Sequence, residues 1–342
     1  MATMSIGKAT LSASIMKRLL PCLALVLFAG VPFVPGQQQP APAKLLIAFS
    51  SYRDRPKHPN IYFYEHDGVA NGKIVGQVGT PRTIASADAQ PSLSHDGQFC
   101  FFTHEVENKT SRIYCWDLKQ QKLVDLANIN NSPNAQMGPS VSGDGNRIAF
   151  TAWNRPGANG WHVYLFDKAS TKFTDLPGLN DPVAADRMAA LSGNGRFLAF
   201  ASNRKGGAGL TDLYLYDCDE KKLLATPELN SKLSELEPSL NHDGNLIAFA
   251  SERPGGLGGR DICLFNRTLG KLVPLPGLNS ADHEFSPALS PDGRFIAFVS
   301  ERLEGEGQRD IYLYDRQTSK LLPTPGLNSK TEDFDPCVIV LK

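Results

Sequence analysis

A four-residue turn recurs every 48 to 50 residues along most of this chain, and that period limits the fold more than any other feature of the sequence. Ser94-His95-Asp96-Gly97, Ser142-Gly143-Asp144-Gly145, Ser192-Gly193-Asn194-Gly195, Asn241-His242-Asp243-Gly244 and Ser290-Pro291-Asp292-Gly293 place their glycines 48, 50, 49 and 49 residues apart. Ser or Asn opens each turn, Asp or Asn bonds back to the local backbone, and Gly supplies the positive φ that other side chains resist. Such chemistry predicts a tight hairpin between two strands.

After every turn comes a short apolar run: Phe99 to Phe102, Ile148 to Phe150, Phe197 to Phe200, Ile247 to Phe249 and Phe295 to Phe298. These are too short for helices and read as buried strands. A second run follows, Arg112 to Asp117, His162 to Asp167, Asp212 to Asp217, Asp261 to Asn266 and Asp310 to Asp315, whose aromatic and β-branched content again favours strand. A weaker third strand is expected to end in Leu176 to Asn180, Thr226 to Asn230, Leu275 to Asn279 or Thr324 to Asn328. Pro suits an outer edge there, because it cannot donate to a ladder. Each unit is thus a four-stranded antiparallel sheet, a to d, with d outermost.

The two ends of the chain supply a sixth unit. Leu45 to Phe49, Asn60 to Glu65 and Lys73 to Val78 match strands b, c and d without an a, whereas Asp335 to Leu341 matches an a with nothing after it. The expected fold is all-β: a six-bladed β-propeller whose ring is closed when the C-terminal strand pairs into the first blade, leaving no open sheet edge. Blade 1 is then residues 44–80 with 335–342, blade 2 is 88–130, blade 3 is 136–180, blade 4 is 186–230, blade 5 is 235–279 and blade 6 is 284–328. Roughly 50 residues per unit lies in the propeller range. An open solenoid would instead carry distinct capping repeats at both ends.

Ahead of the ring, residues 1–43 contain no acidic residue, carry Lys8, Lys17 and Arg18, and run into the apolar stretch Leu19 to Val34. That order reads as a secretory signal peptide, with Ala41-Pro42-Ala43 as the cleavage site and Gly36 as the alternative. The stretch is broken by Pro21, Pro32 and Pro35 and is short for a span of about 20 apolar residues; an uncleaved signal anchor is the competing reading. The whole chain has 35 basic and 35 acidic residues; removing 1–43 leaves 32 against 35, a net charge of −3. Nothing in that balance suits a nucleic acid, which needs a basic face. The protein is expected to be periplasmic or secreted, a monomer, with no membrane span after cleavage.

The string P-x-x-S-x-D-G-x-x-I-A-F-x-S-x-R followed by D-I-Y-L-Y-D, complete in blade 6 from Pro287 through Arg302 to Asp315, resembles the WD40-like repeat of the TolB-like six-bladed propeller family. The resemblance covers nearly all of residues 44–342, the propeller part only. It implies a six-bladed ring, export to the bacterial cell envelope and partner binding through one face or the central channel. It implies no one activity, since related propellers also occur as non-catalytic domains attached to peptidases and sugar-acting enzymes.

Candidate site residues follow the same period. Three residues before the first position of each strand a stand Asp88, Gln136, Asp186, Glu235, Glu284 and Asp333, five of them acidic. On the face shared by the d-to-a and b-to-c loops they would ring the channel mouth, where focused negative charge could attract a basic partner or a Ca2+ ion. The competing reading is structural. Arg53, Arg204, Arg253 and Arg302 end strand b in the same register, so each acid can pair with an Arg as a per-blade lock, as can Asp212, Asp261 and Asp310. Blade 3 offers Asn154 and Arg155 instead and blade 2 offers Val106; together with Gln136 and Arg187 they mark blades 2 to 4 as the irregular face. The Gly-rich b-to-c loops, Arg204 to Asp212, Arg253 to Asp261 and Arg302 to Asp310, read either as mobile binding loops or as plain hairpin tips.

Cys100 and Cys115 fall on neighbouring strands, and pairing Thr103 with Arg112 would set them opposite each other for a disulfide, which export permits; two buried thiols are the alternative. Zinc spacing is absent from Cys22, Cys100, Cys115, Cys218, Cys263 and Cys337. His95 and His242 are placed in a-to-b turns on the opposite face, and His283 beside Glu284 is read as a loop residue. The sequence contains no catalytic motif of the G-x-S-x-G, H-E-x-x-H or P-loop type. The expected function is therefore a non-catalytic module that binds an envelope protein or peptidoglycan-associated partner, with no cofactor. The alternatives are a propeller-type glycan hydrolase or lyase, or a calcium-stabilised ligand-binding ring.

Overall fold

The computed structural model of the protein describes residues 43–80, 86–106, 110–130, 133–153 and 160–341. The expected signal segment up to residue 42, together with Asn154 and Arg155, lies outside the described residues, as does the side chain of Val106. Among the described residues no helix is long and apolar enough to cross a membrane.

The described chain forms six four-stranded antiparallel sheets. Blade 1 holds β1 (Leu45–Ser51), β2 (Asn60–His66) and β3 (Gly72–Gln77); blade 2 holds β4 (Ser86–Leu93), β5 (Phe99–Val106), β6 (Arg112–Asp117) and β7 (Lys122–Val124). Blade 3 follows with β8 (Gln136–Val141), β9 (Arg147–Trp153), β10 (Trp161–Asp167) and β11 (Lys172–Phe173), and blade 4 with β12 (Asp186–Leu191), β13 (Phe197–Ser202), β14 (Asp212–Asp217) and β15 (Lys222–Leu224). Blade 5 contains β16 (Glu235–Leu240), β17 (Leu246–Ser251), β18 (Asp261–Asn266) and β19 (Lys271–Val273); blade 6 contains β20 (Glu284–Leu289), β21 (Phe295–Ser300), β22 (Asp310–Asp315) and β23 (Lys320–Leu322). The last strand, β24 (Asp333–Val340), pairs antiparallel with β1, setting Leu45 opposite Val340 and Ile47 opposite Val338, and so supplies the missing strand a of blade 1.

The repeated turn does what its residues predict. In blade 2, Ser94 Oγ accepts from the Phe99 amide at 3.0 Å, Asp96 Oδ1 accepts from the Gln98 amide at 2.9 Å, and Gly97 takes φ +71°. Strands b are buried on both faces and strands d are largely exposed, which is why b reads as a continuous apolar run and d does not. Alternate residues of one strand b serve different neighbours. Leu45, Ile47 and Phe49 pack with Ala297, Val299 and Leu313 of blade 6, while Leu46 and Ala48 pack with Leu93, Cys100 and Phe102 of blade 2. Six apolar clusters arise in this way, one for each pair of neighbouring blades, and the cluster joining blades 6 and 1 contains residues from both ends of the chain.

Two local expectations are corrected. The Pro-Gly-Leu-Asn segments do not end strand d: β15, β19 and β23 stop at Leu224, Val273 and Leu322, and the motif makes the turn beyond them. There the Asn side chain bonds back to strand c, as Asn279 does by accepting from the Ile262 amide at 2.9 Å and donating to the Ile262 carbonyl at 3.0 Å. Strand a begins earlier than expected, at the acid register in blades 1 and 3 to 6 and at Ser86, two residues before Asp88, in blade 2, because a bulge lets it pair on both sides of an irregular residue. The bulge residues are Gln90, Gly138, Met188, Glu237, Ser286 and Asp335, all at positive φ.

Candidate functional site

The six acid-register residues occupy equivalent positions, and all are buried. Asp186, the first residue of β12, accepts from Arg204 Nη2 at 2.7 Å, and the same guanidinium donates to the Leu179 carbonyl at 2.7 Å and to Ser202 Oγ at 3.1 Å. Arg53 meets Asp333 at 2.8 Å, and Arg253 and Arg302 meet Glu235 and Glu284 at 3.3 Å each, with the same serine and leucine partners in register. The acid's remaining lone pairs take amide and hydroxyl protons from the residue that follows the Pro-Gly-Leu-Asn turn, such as Ser231 N at 2.9 Å on Glu235 and Ser329 N at 2.7 Å on Asp333. These carboxylates lie beneath the loop face with their hydrogen-bonding capacity used. Blade 2 reaches the same end differently: Asp88 meets His104 Nδ1 at 2.6 Å and Thr80 Oγ1 at 2.6 Å. His104 stands where other blades carry Ser51, Ser202, Ser251 or Ser300. In blade 3 the residue is neutral, and Gln136 Nε2 donates to the Ile129 carbonyl at 2.8 Å.

Asp212, Asp261 and Asp310 do not take arginine partners; they hold the Gly-rich loops. Asp212 accepts from the Gly209 amide at 3.1 Å, Asp261 from the Leu257 amide at 3.1 Å, and Asp310 from the Gly307 amide at 3.1 Å. A Cβ on Gly207, Gly256 or Gly305 would sit 1.8, 1.7 or 1.9 Å from the adjoining carboxylate oxygen, so these glycines are required by close approach. Burial raises the pKa of Asp212 and of Asp310, against the lowering effect of those amides. Each b-to-c loop also rests on the neighbouring d-to-a loop: Leu210 N donates to the Leu233 carbonyl at 3.2 Å. The tips point apolar residues outward. Leu303, Val183, Leu257 and Leu210, 91, 85, 70 and 69% exposed, are the four most exposed large apolar side chains among the described residues, and all four lie on this face.

Inside the ring, the bulge residues line the channel near the loop face, and Glu237 and Asp335 are its two carboxylates there. Glu237 Oε2 accepts from the Ser286 amide at 2.7 Å. Burial, and next the Glu237 charge, push the Asp335 carboxyl up to about 7, while the Gln90 amide and Arg309 pull the other way. Below the bulges, Pro91, Pro139, Pro238, Pro287 and Pro336 narrow the passage to a cavity of 180 Å³, under the ~300 to 1,000 Å³ of a small-molecule site.

Sequence comparison finds no matching family profile and no matching curated protein. Among solved structures, TolB from Acinetobacter baumannii superposes with a TM-score of 0.61 at 18% identity, over 86% of this chain. The ring has the TolB propeller fold. This chain spans 66% of that TolB chain, just under two thirds of its length. A protein assigned as TolB in Agrobacterium tumefaciens matches at TM-score 0.53 and 16% identity, over 88% of this chain and 99% of its own. Hydrazine synthase of Kuenenia stuttgartiensis matches at TM-score 0.58 and 12% identity, over 88% of this chain and 47% of its own. A TolB-like ring is thus an architecture that also occurs within a protein named as an enzyme.

Three features of this TolB-like ring escape the sequence reading. The expected register of blade 2 is off by one: Thr103 faces Ile113, so Cys100 lies opposite Trp116 and Cys115 opposite Phe101. A one-residue slip turns a side chain to the other face. Cys100 therefore packs toward blade 1 and Cys115 toward blade 3, and both are free thiols whose pKa burial raises. The bulge residues repeat at a spacing of 48 to 50 residues, and that spacing is the one signal the sequence carries for them. His95 and His242 do lie on a-to-b turns, but they meet, with ring centroids 5.4 Å apart.

Proposed function

We propose that this protein is an exported, TolB-like propeller that serves the bacterial cell envelope as a non-catalytic protein-binding or scaffolding module, periplasmic or secreted. The observation that carries this reading is the concentration of Leu303, Val183, Leu257 and Leu210 on the b-to-c and d-to-a loop face, fixed there by backbone hydrogen bonds. Isolated exposed apolar residues are ordinary, but the four most exposed ones sharing a face, on loops that are held in place, suit a partner that buries them. The basic and apolar segment before residue 43 supports export. In this reading the acids in register are blade locks and form no calcium site, and the partner is an envelope protein or a peptidoglycan-associated one.

The test is crosslinking in cells from a photoreactive residue at position 210, on the same face, followed by mass spectrometry. Leu303→Asp with Leu257→Asp is expected to lose the crosslinked partner while keeping the parent melting temperature. Equal recovery of the partner from that variant would refute the loop-face reading. The Glu237 and Asp335 pair, one of them held near neutral pKa, is what a glycan-cleaving alternative would use. The narrow channel disfavours it, and turnover of a polysaccharide that Glu237→Gln abolishes would establish it instead.

A further inference from the structure

Blade 6 departs from the repeat where its b-to-c loop faces the turn after strand d. The second and fourth residues after the lock arginine are Arg55 and Lys57 in blade 1, Gly206 and Ala208 in blade 4, and Gly255 and Leu257 in blade 5. In blade 6 they are Glu304 and Glu306. Both glutamates are exposed and, among the described residues, their carboxylates make no salt bridge or hydrogen bond. The arginines of the same loop are matched elsewhere, Arg302 to Glu284 at 3.3 Å and Arg309 to Glu301 at 3.1 Å.

Glu304 and Glu306 line a cleft of 620 Å³, inside the ~300 to 1,000 Å³ of a ligand site. Tyr312, Pro323 and Pro325 also line it, Ala70 reaches it from blade 1, and no lysine, arginine or histidine does. The corresponding cleft of blade 5 measures 300 Å³ and has Arg253 in its lining. Hydrogen bonds fix both sides of the blade 6 cleft. Gly305 N donates to the Arg302 carbonyl at 3.3 Å and Gly307 N to Asp310 Oδ2 at 3.1 Å, which holds the glutamate loop. From blade 1, Tyr64 Oη donates to the Pro325 carbonyl at 3.0 Å and His66 Nε2 to the Pro323 carbonyl at 2.9 Å, which holds the proline turn. Little reorganisation therefore opposes binding.

We propose that this cleft binds an arginine or lysine side chain carried on a segment of a protein partner. Two carboxylates without an internal cation leave negative charge that a basic group satisfies through charge-assisted hydrogen bonds. The aliphatic stem of such a side chain lies against Pro323 and Pro325, as long basic side chains do on apolar surface. Arg302 covers one face of the Tyr312 ring, its Cζ 4.3 Å from the centroid, so the incoming cation belongs at the glutamates and not over that face. Leu303, next to Glu304 and 91% exposed, suits an apolar residue beside the basic one. The occupant, a protein segment, rests on the loop-face reading; the preference of the cleft for a cation does not.

The experiment is a fluorescence anisotropy titration of the purified protein with a labelled peptide of alternating alanine and arginine, and with the same peptide carrying glutamine for arginine. The arginine peptide is expected to bind and the glutamine peptide not to, with affinity falling as salt screens the exposed charges. Glu304→Gln with Glu306→Gln is expected to weaken binding by about fivefold or more. Asp175→Asn with Glu228→Gln removes the same charge at exposed acids of blades 3 and 4 outside the cleft, and is expected to change affinity by less than about twofold. Ala70→Arg, which brings a cation to the cleft from blade 1, is expected to weaken binding as the glutamate variant does. Equal affinity of the two double variants, binding unchanged by Ala70→Arg, or no binding by the parent would each overturn the assignment. No protein partner is present in this titration, so peptide binding upholds the cleft even where the crosslink from position 210 fails.

Discussion

An acid drawn out of water can be stabilised or left costly, and this chain contains both cases at neighbouring registers, Asp186 buried and Asp335 half-buried. Asp186 and its counterparts sit in forks of guanidinium, amide and hydroxyl donors, whereas Asp335, two residues beyond Asp333 on the same strand, meets burial and the like charge of Glu237. Its folded pKa of about 7 lies above the unfolded value of 3.8. The sign follows: between those values the unfolded chain releases a proton that the folded chain keeps, so stability falls as pH rises from about 4 to 7 and levels off above. Asp335→Asn should remove that loss. Melting temperatures of variant and parent should agree near pH 4, with the variant higher at pH 8 by an amount reflecting on the order of 1 kcal/mol once solvent in the channel is allowed for. A difference independent of pH would show that the carboxyl is not held neutral. Cys100 and Cys115 teach a separate lesson at this scale: both were recognisable as strand residues, but facing requires a register, and the register is set by β5 and β6 packing between two blades.

Within a blade, the element that does most of the fastening is the short connection from strand d to strand a. Its Leu is buried between blades and accepts through its carbonyl from the Arg two residues beyond strand b, its Asn clamps strand c, and the next residue caps the acid that opens strand a. Four separate chain segments converge on one guanidinium and one carboxylate. Removing the cation leaves the anion buried, a change that costs about 3 to 5 kcal/mol where it has been measured in proteins. Arg204→Ala is therefore expected to lower the urea midpoint sharply, and adding Asp186→Asn to it should restore part of the loss by removing the stranded charge. A loss under about 1 kcal/mol for Arg204→Ala would mean the fork is incidental. Sequence spacing alone was enough to align the acids with the arginines, because both repeat with the blade. It could not assign Asp212, Asp261 and Asp310, since whether an Asp turns to a neighbouring Arg or to its own loop depends on how tightly the glycines let the loop close.

At the scale of the whole molecule, closure rests on eight residues at the end of the chain. β24 covers the free edge of β1 and adds Val338 to the cluster shared with blade 6, so both termini contribute to one interface. Deleting residues 333–342 should expose the β1 edge and the apolar faces of blades 1, 2 and 6, giving a protein that self-associates in size-exclusion chromatography while keeping most of its β-sheet circular dichroism. A monodisperse truncated monomer with the parent melting temperature would contradict closure by this strand.

The number of blades, their strand order, the split first blade and the lock registers all lie in the sequence, because each is a local pattern repeated at a fixed interval and repetition makes weak local signals add. The exposure of Leu303, Val183, Leu257 and Leu210 at the loop tips, the convergence of the bulge residues on the channel, the face each cysteine takes and the meeting of His95 with His242 appear only once the ring is built. Those depend on which residues from distant blades share a radius and a height, and a linear period specifies the interval between equivalent positions while leaving the curvature that brings them together to the packing between blades.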